Sequence, residues 1–228
     1  MAVRRAIAEP DGVYFITITC MRWLPLFKML DAWQVVYNWF DQLKKEGHFV
    51  IGYVIMPDHL HAIIAFSNVG KSINSIVGTG KRFMAYSLVK LVHQQGRKIL
   101  GYEMQQVVNS TDRKRNKIHE VFEPSFDSKE CSGERFMEQK LNYIHLNPCR
   151  SNPRLSSSPE EYVHSSARYY IKDEHGIYPV TSFMELMDID LTNGKNLERV
   201  RNEDEQSICF QQQAPNAAES AHRKPGRA

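Results

Sequence analysis

Two apolar rhythms alternate along the chain. Val13-Tyr-Phe-Ile-Thr-Ile-Thr-Cys20 is rich in β-branched and aromatic residues, with Thr17 and Thr19 at alternate positions, which predicts a strand with one wetter face. From Asp31 to Glu46, Trp33, Val36, Tyr37, Phe40 and Leu43 recur at helical spacing, and Gly47 follows where a C-cap would sit. That spacing predicts an amphipathic helix. Phe49 to Met56 and Leu60 to Phe66 are two further β-rich runs, and Pro57-Asp58 between them suits the turn of an antiparallel hairpin. From Lys71 or Ser72 to about Gln95 a second helix is expected, interrupted near Gly78-Thr-Gly80, with Phe83, Leu88, Leu91 and Val92 on its apolar stripe.

The basic stretch that follows reads as a loop, and Val121 to Phe126 reads as a short strand. Glu134 to about Asn147 is a third helix, with Phe136, Met137, Leu141 and Ile144 turned inward and Pro148 as its stop. Strand, helix, strand, strand, helix, strand is the order of an α+β fold. It predicts a ferredoxin-like split β-α-β antiparallel sheet with helices on one face, plus an additional helix that carries Tyr143. Beyond Tyr170 a helical piece is expected around Phe183 to Met187, and from Asn202 the chain turns polar, with Gln211-Gln-Gln213, as a disordered tail does.

Composition changes this picture little. Apolar residues make up 42% and charged residues 24% of 228 residues, as in ordinary folded domains. A net charge of +3 is too small to argue for a nucleic-acid partner. Its distribution says more: nine Lys or Arg residues fall between Lys81 and Lys117, against Glu103 and Asp112 alone. Lys81 and Arg82, then Arg113-Lys-Arg115 with Lys117, are its densest groups, readable as a phosphate-binding surface or as a solvated loop. Cys20, Cys131, Cys149 and Cys209 form no C-x-x-C pair, so neither a zinc knuckle nor a disulfide framework is suggested and a reducing cytoplasm is expected. The N-terminus lacks an apolar signal core, and no stretch approaches the ~20 apolar residues of a membrane span.

His59-Leu60-His61 opens the second hairpin strand, and side chains at i and i+2 point to one face, so both imidazoles can converge on one ion. Two histidines do not complete a metal site, and a third donor must come from elsewhere; a pair of surface histidines is the plain alternative. On the third helix Tyr143 and Asn147 are four residues apart and share a face, with His145 turned away. If that face meets the histidines, Asn147 becomes a candidate third ligand and Tyr143 a candidate nucleophile. An interfacial tyrosine and a helix-ending asparagine before proline are the ordinary alternatives.

Tyr53-Val-Ile-Met-Pro-Asp-His-Leu-His-Ala-Ile63 resembles the His-hydrophobic-His motif of HUH transposases, and Tyr143-Ile-His-Leu-Asn-Pro-Cys-Arg150 resembles their tyrosine helix. Tyr14-Phe-Ile-Thr-Ile-Thr19 and Tyr162-Val-His-Ser-Ser-Ala-Arg-Tyr169 extend the likeness, over about residues 10 to 172, to the REP-associated tyrosine transposase branch of the IS200-like superfamily. The resemblance implies a catalytic domain over residues 1–172, after which the sequence pattern predicts a helical extension over 173–201 and a disordered tail over 202–228. It further implies that His59, His61 and Asn147 bind Mg or Mn, and that Tyr143 forms a 5′-phosphotyrosine on single-stranded DNA at hairpin-forming repetitive elements. A cytoplasmic monomer or homodimer acting on DNA is the corresponding expectation. The sequence departs from the pattern at Asp58, where Asn is frequent, and at Ser151-Asn-Pro153, which replaces an Ala-Gly.

Other chemistries fit less well. A histidine-triad hydrolase would want histidine where Ile63 stands, a phosphate loop ending in Gly70-Lys-Ser72 would need glycine where Ala65 stands, and H-E-x-x-H is absent. A replication-initiator or relaxase-like nicking enzyme, using similar chemistry, and a non-catalytic DNA-binding regulator remain the alternatives.

Overall fold

The computed structural model describes residues 6–193; the expected tail over 202–228 lies outside them. Strands β1 (Gly12–Thr19), β2 (Phe49–Ile55), β3 (His59–Phe66) and β4 (Asp127–Glu130) form one sheet in the order β2-β3-β1-β4. Every pairing is antiparallel. The helices are α1 (Leu26–Met29), α2 (Trp33–Lys45), α3 (Ile73–Gln94), α4 (Lys98–Gln106), α5 (Ser110–Lys114), α6 (Glu134–Arg150), α7 (Ala167–Lys172) and α8 (Phe183–Leu186). This is the expected α+β arrangement, with the split β-α-β order and an added helix bearing Tyr143.

Both faces of the sheet are apolar, because β2 and β3 are buried along nearly their whole length. Leu60, Ala62, Ile64 and Phe66 of β3 join Ile16 and Ile18 of β1 in a core shared with Val36, Phe40 and Leu43 of α2 and Val77, Met84 and Leu88 of α3. Ile63 and Ala65, offset by one residue, face the other way with Phe15 and pack on Met137, Leu141 and Ile144 of α6. Period-two alternation in the strands thus separates a helical layer from the tyrosine helix. Gly52 lets α6 approach: a Cβ there would lie 2.6 Å from Leu141 Cδ2.

Four expectations about the elements need correction. The fourth strand is Asp127–Glu130, not Val121–Phe126; Val121 and Phe122 are buried, but Phe122 makes an isolated bridge with Cys20. The polar sequence Asp-Ser-Lys-Glu carries little β propensity, and the strand forms because the outer edge of β1 offers it backbone partners. The basic stretch after α3 holds α4 and α5 rather than a loop. Helix α3 runs unbroken through Gly78 and Gly80, and the absent side chain at Gly80 makes room for Trp39, whose Nε1 would stand 2.1 Å from an added Cβ. Helix α6 continues past Pro148 to Arg150, and it closes with the Ser151 N–H on the Asn147 carbonyl.

The outer edge of β2 is also covered. His164 and Ser166 pair with its backbone through Ile55 N–H to His164 O and Ser166 N–H to Tyr53 O, while the Tyr162 hydroxyl donates to Ile55 O. The Tyr162–Tyr169 stretch therefore shields a sheet edge from unwanted pairing. No helix among the described residues is long and apolar enough to cross a membrane.

Candidate active site at the histidine pair

The wetter face of β1 and the histidine face of β3 are the same surface. Register opposes Thr17 to His61 and Thr19 to His59. Thr17 Oγ1 lies 2.8 Å from His61 Nδ1, and Asp58 Oδ1 lies 2.7 Å from His59 Nδ1. A carboxylate accepts only, so His59 Nδ1 donates to Asp58 and Nε2 is the ring nitrogen left for another partner. A Thr17 hydroxyl accepting from His61 Nδ1 gives the second ring the same tautomer. Anchoring one ring nitrogen so that the other can bind is how metal-ligating histidines are held.

The turn that presents the pair is fixed by backbone bonds: Met56 N–H to His59 O, Cys20 N–H to Asp58 O and Phe27 N–H to Pro57 O. Asp58, a departure from the family-like pattern, thereby acts on His59 itself. His61 is 6% exposed, and burial first, then the nearby His59 and Lys140, push its pKa down to about 3. At neutral pH it is an uncharged imidazole, the form that ligates.

Tyr143 comes to this face from α6. Its ring centroid is 5.4 Å from that of His61 and 6.0 Å from that of Phe15, and the His59 and His61 rings are 4.6 Å apart. Leu141 and Ile144, buried on either side of it in sequence, seat the helix while Tyr143 stays 47% exposed. Lys140 Nζ lies 4.7 Å from the Phe15 ring and 5.7 Å from the Tyr143 ring. Burial, then Lys129, lower the Lys140 pKa. His145 points away, as expected, and is structural: it is buried, its Nε2 is 2.9 Å from Ser166 Oγ, and Ser166 Oγ also accepts from Tyr53 N–H.

His59, His61 and Tyr143 are therefore neighbours. Asn147 stands half-buried one helical turn beyond Tyr143 on the same side of α6, and its side chain makes no hydrogen bond to any described residue. No three His, Cys, Asp or Glu side chains gather as a metal-holding group among the described residues. The donor set at the pair is two preoriented imidazoles, which fit an ion once a neutral oxygen donor such as the Asn147 carboxamide completes it.

The six basic candidates divide. Lys81 Nζ donates to Glu123 O and Ser125 O, Arg113 donates to Val108 O and Gln105 O, and Lys117 pairs with Asp112 and Glu120. Arg82, Lys114 and Arg115 are exposed. Lys81, Arg82, Arg115 and Lys117 border a groove of about 900 Å³ between α3 and residues 115–126, in the helical layer on the far side of the sheet from the histidines. His59, His61, Tyr143 and Asn147 are not among the residues that line that groove. Sequence reasoning missed Thr17, Lys140 and Phe15 as neighbours of the site, although the alternating threonines of β1 marked its face.

Comparison with known proteins sets this geometry in context. No family model and no curated protein matches the chain. Among solved structures, a REP-associated tyrosine transposase bound to a REP hairpin is similar in fold, at TM-score 0.52 and 14% identity over 85% of this chain and 98% of that one. A candidate transposase of Deinococcus radiodurans R1 gives TM-score 0.37 at 14% identity, over 63% of this chain and 95% of that one, and carries no argument by itself. The chain thus shares the fold of a hairpin-bound tyrosine transposase.

Proposed function

We propose that this protein is an HUH-type tyrosine transposase that cleaves and rejoins single-stranded DNA at hairpin-forming elements. The observation that carries the reading is the approach of the Tyr143 ring to His61, beside a His59–His61 pair whose Nδ1 atoms are both anchored. His59, His61 and Asn147 are assigned to hold Mg or Mn. When bound, such an ion draws negative charge from the phosphate oxygens and favours the ionised form of a nearby hydroxyl.

This chain's residues then have separate tasks. Thr17 and Asp58 fix the imidazoles, and Leu141 and Ile144 seat α6 so that Tyr143 faces the phosphate. The Tyr143 oxygen attacks phosphorus, an O–P bond forms, the bond to the 3′ oxygen breaks, and the proton lost by the phenol balances the one gained by the departing 3′ hydroxyl. The product is a 5′-phosphotyrosine that conserves a phosphodiester, so a 3′ hydroxyl can reverse the step and join strands without ATP. The Lys140 ammonium, 5.7 Å from the Tyr143 ring, adds positive charge beside the place assigned to the phosphate.

Arg82, Lys114 and Arg115 are assigned to the DNA backbone, while Lys81, Arg113 and Lys117 hold the fold that carries them. Backbone contacts of this kind supply affinity without sequence preference. Residues 1–172 are assigned to the catalytic domain, with 173–201 as an extension.

The test is metal-dependent cleavage of labelled hairpin oligonucleotides with single-stranded flanks. Cleavage in Mn or Mg that is lost in EDTA, and at least a hundredfold slower in His59→Ala and His61→Ala, is expected. Tight binding with no cleavage by the wild-type protein in either metal would make it a DNA-binding regulator instead.

A further inference from the structure

Trp23 is the feature that the proposed reaction leaves unexplained. Of the three tryptophans, Trp39 is buried and Trp33 half-buried, whereas Trp23 is 61% exposed. Its ring meets His59 edge-on, with centroids 5.6 Å apart. Trp23, His59, His61 and Tyr143 therefore form a row of rings at successive centroid spacings of 5.6, 4.6 and 5.4 Å. The two outer members are exposed and the inner two are sheltered.

The backbone holds Trp23 there against its own preference. Arg22 and Trp23 both occupy the left-handed region, at φ 51° and 57°, where a side chain with a Cβ is disfavoured. The turn is fixed on every side: Trp23 N–H to Cys20 O, Leu24 N–H to Met21 O, Met21 N–H to Val121 O, and Arg22 N–H to a Glu123 carboxylate oxygen. Cys20 N–H also bonds Asp58 O, which ties the turn to the residue that anchors His59. Strain of this kind persists only where the surroundings enforce it, and it gathers at working sites. A large aromatic ring left in water against His59 offers a flat apolar face to a ligand's ring.

Resting on the transposase reading, we infer that Trp23 is a stacking platform for a nucleobase of the bound single strand, one that positions the nucleotide next to the phosphate facing His59 and Tyr143. Every base has a π-face, so the contact adds affinity without strict sequence preference. Duplex DNA, whose bases are already stacked, cannot use it, and the platform thereby favours single strands.

The test uses the full-length protein carrying Tyr143→Phe, which prevents covalent trapping, in magnesium buffer at fixed salt. It is titrated into labelled oligothymidylate and into an abasic strand of the same length. Adding Trp23→Ala is expected to weaken oligothymidylate binding by about fivefold to a hundredfold, Trp23→Phe by less, and binding to the abasic strand by neither. Oligothymidylate is also expected to quench tryptophan fluorescence in the parent and much less in Trp23→Phe. Equal binding of oligothymidylate by Trp23→Ala and a tight-binding parent overturns the platform and leaves the transposase reading standing. Equal losses on both strands overturn it as well, because they would place Trp23 on the backbone. A parent that binds neither strand but binds a hairpin oligonucleotide overturns the platform, and one that binds no DNA at all overturns both readings.

Discussion

Burial decides the protonation of several histidines, and with it part of the pH behaviour of the fold. His48 is fully buried; its Nδ1 accepts from Ser67 N–H while Nε2 has no hydrogen-bond partner. Burial, followed by the opposing influence of Glu46 and the reinforcing one of Lys71, lowers its pKa from 6.5 to about 4. His145, lowered by burial to about 4, behaves alike. The unfolded chain therefore binds more protons than the folded one between about pH 6.5 and pH 4, and stability rises with pH across that window. A depression of this size corresponds to about 3 kcal/mol for His48, full above pH 6.5 and lost as pH falls to about 4. Urea unfolding of wild-type protein and His48→Asn, measured from pH 7 to pH 4, is expected to show a shallower loss in the variant. Parallel curves would mean that His48 takes up its proton as readily in the folded protein as in the unfolded chain. The site histidines were legible in the sequence because i, i+2 spacing on a strand puts them on one face. Thr17 was legible as wetter surface alone, since its pairing with His61 depends on a register that no local pattern specifies.

At the scale of elements, the position of α6 on the sheet is what joins tyrosine to histidine. Its seat is apolar at Met137, Leu141 and Ile144, and it is locked by one polar junction, His145 to Ser166 to the Tyr53 backbone. Ser166→Ala leaves the Tyr53 N–H and a His145 ring nitrogen unpaired in a buried place, so a loss of about 1 to 3 kcal/mol is expected in chemical denaturation. Cleavage should slow as well, because α6 is freer to shift from the histidines; unchanged stability would show that water or a neighbouring group replaces the hydroxyl. The amphipathic periods of α2, α3 and α6 and the hairpin turn at Pro57-Asp58 were readable because burial writes them into the sequence. The fourth strand was not, since Asp127–Glu130 is polar and is recruited by the edge of β1. Gly80 looked like a break but is a notch for Trp39 in a continuous helix, a distinction set by tertiary packing.

In the whole molecule, the sheet separates two surfaces of different composition. One carries His59, His61, Tyr143 and Asn147; the other carries the helical layer with the exposed Arg82. A DNA touching both would pass round the edge of the sheet, which makes a folded, partly single-stranded substrate a better match than a straight duplex. The proposed reaction would join one residue, Tyr143, covalently to DNA. The most direct measurement incubates the protein with labelled hairpin oligonucleotides and Mn, isolates any SDS-resistant protein–DNA adduct, and maps it by peptide mass spectrometry. A phosphodiester on the peptide containing Tyr143 is expected, absent from Tyr143→Phe and from EDTA-treated samples. Strand cleavage that proceeds undiminished in Tyr143→Phe, or an adduct mapped to another residue, would contradict it.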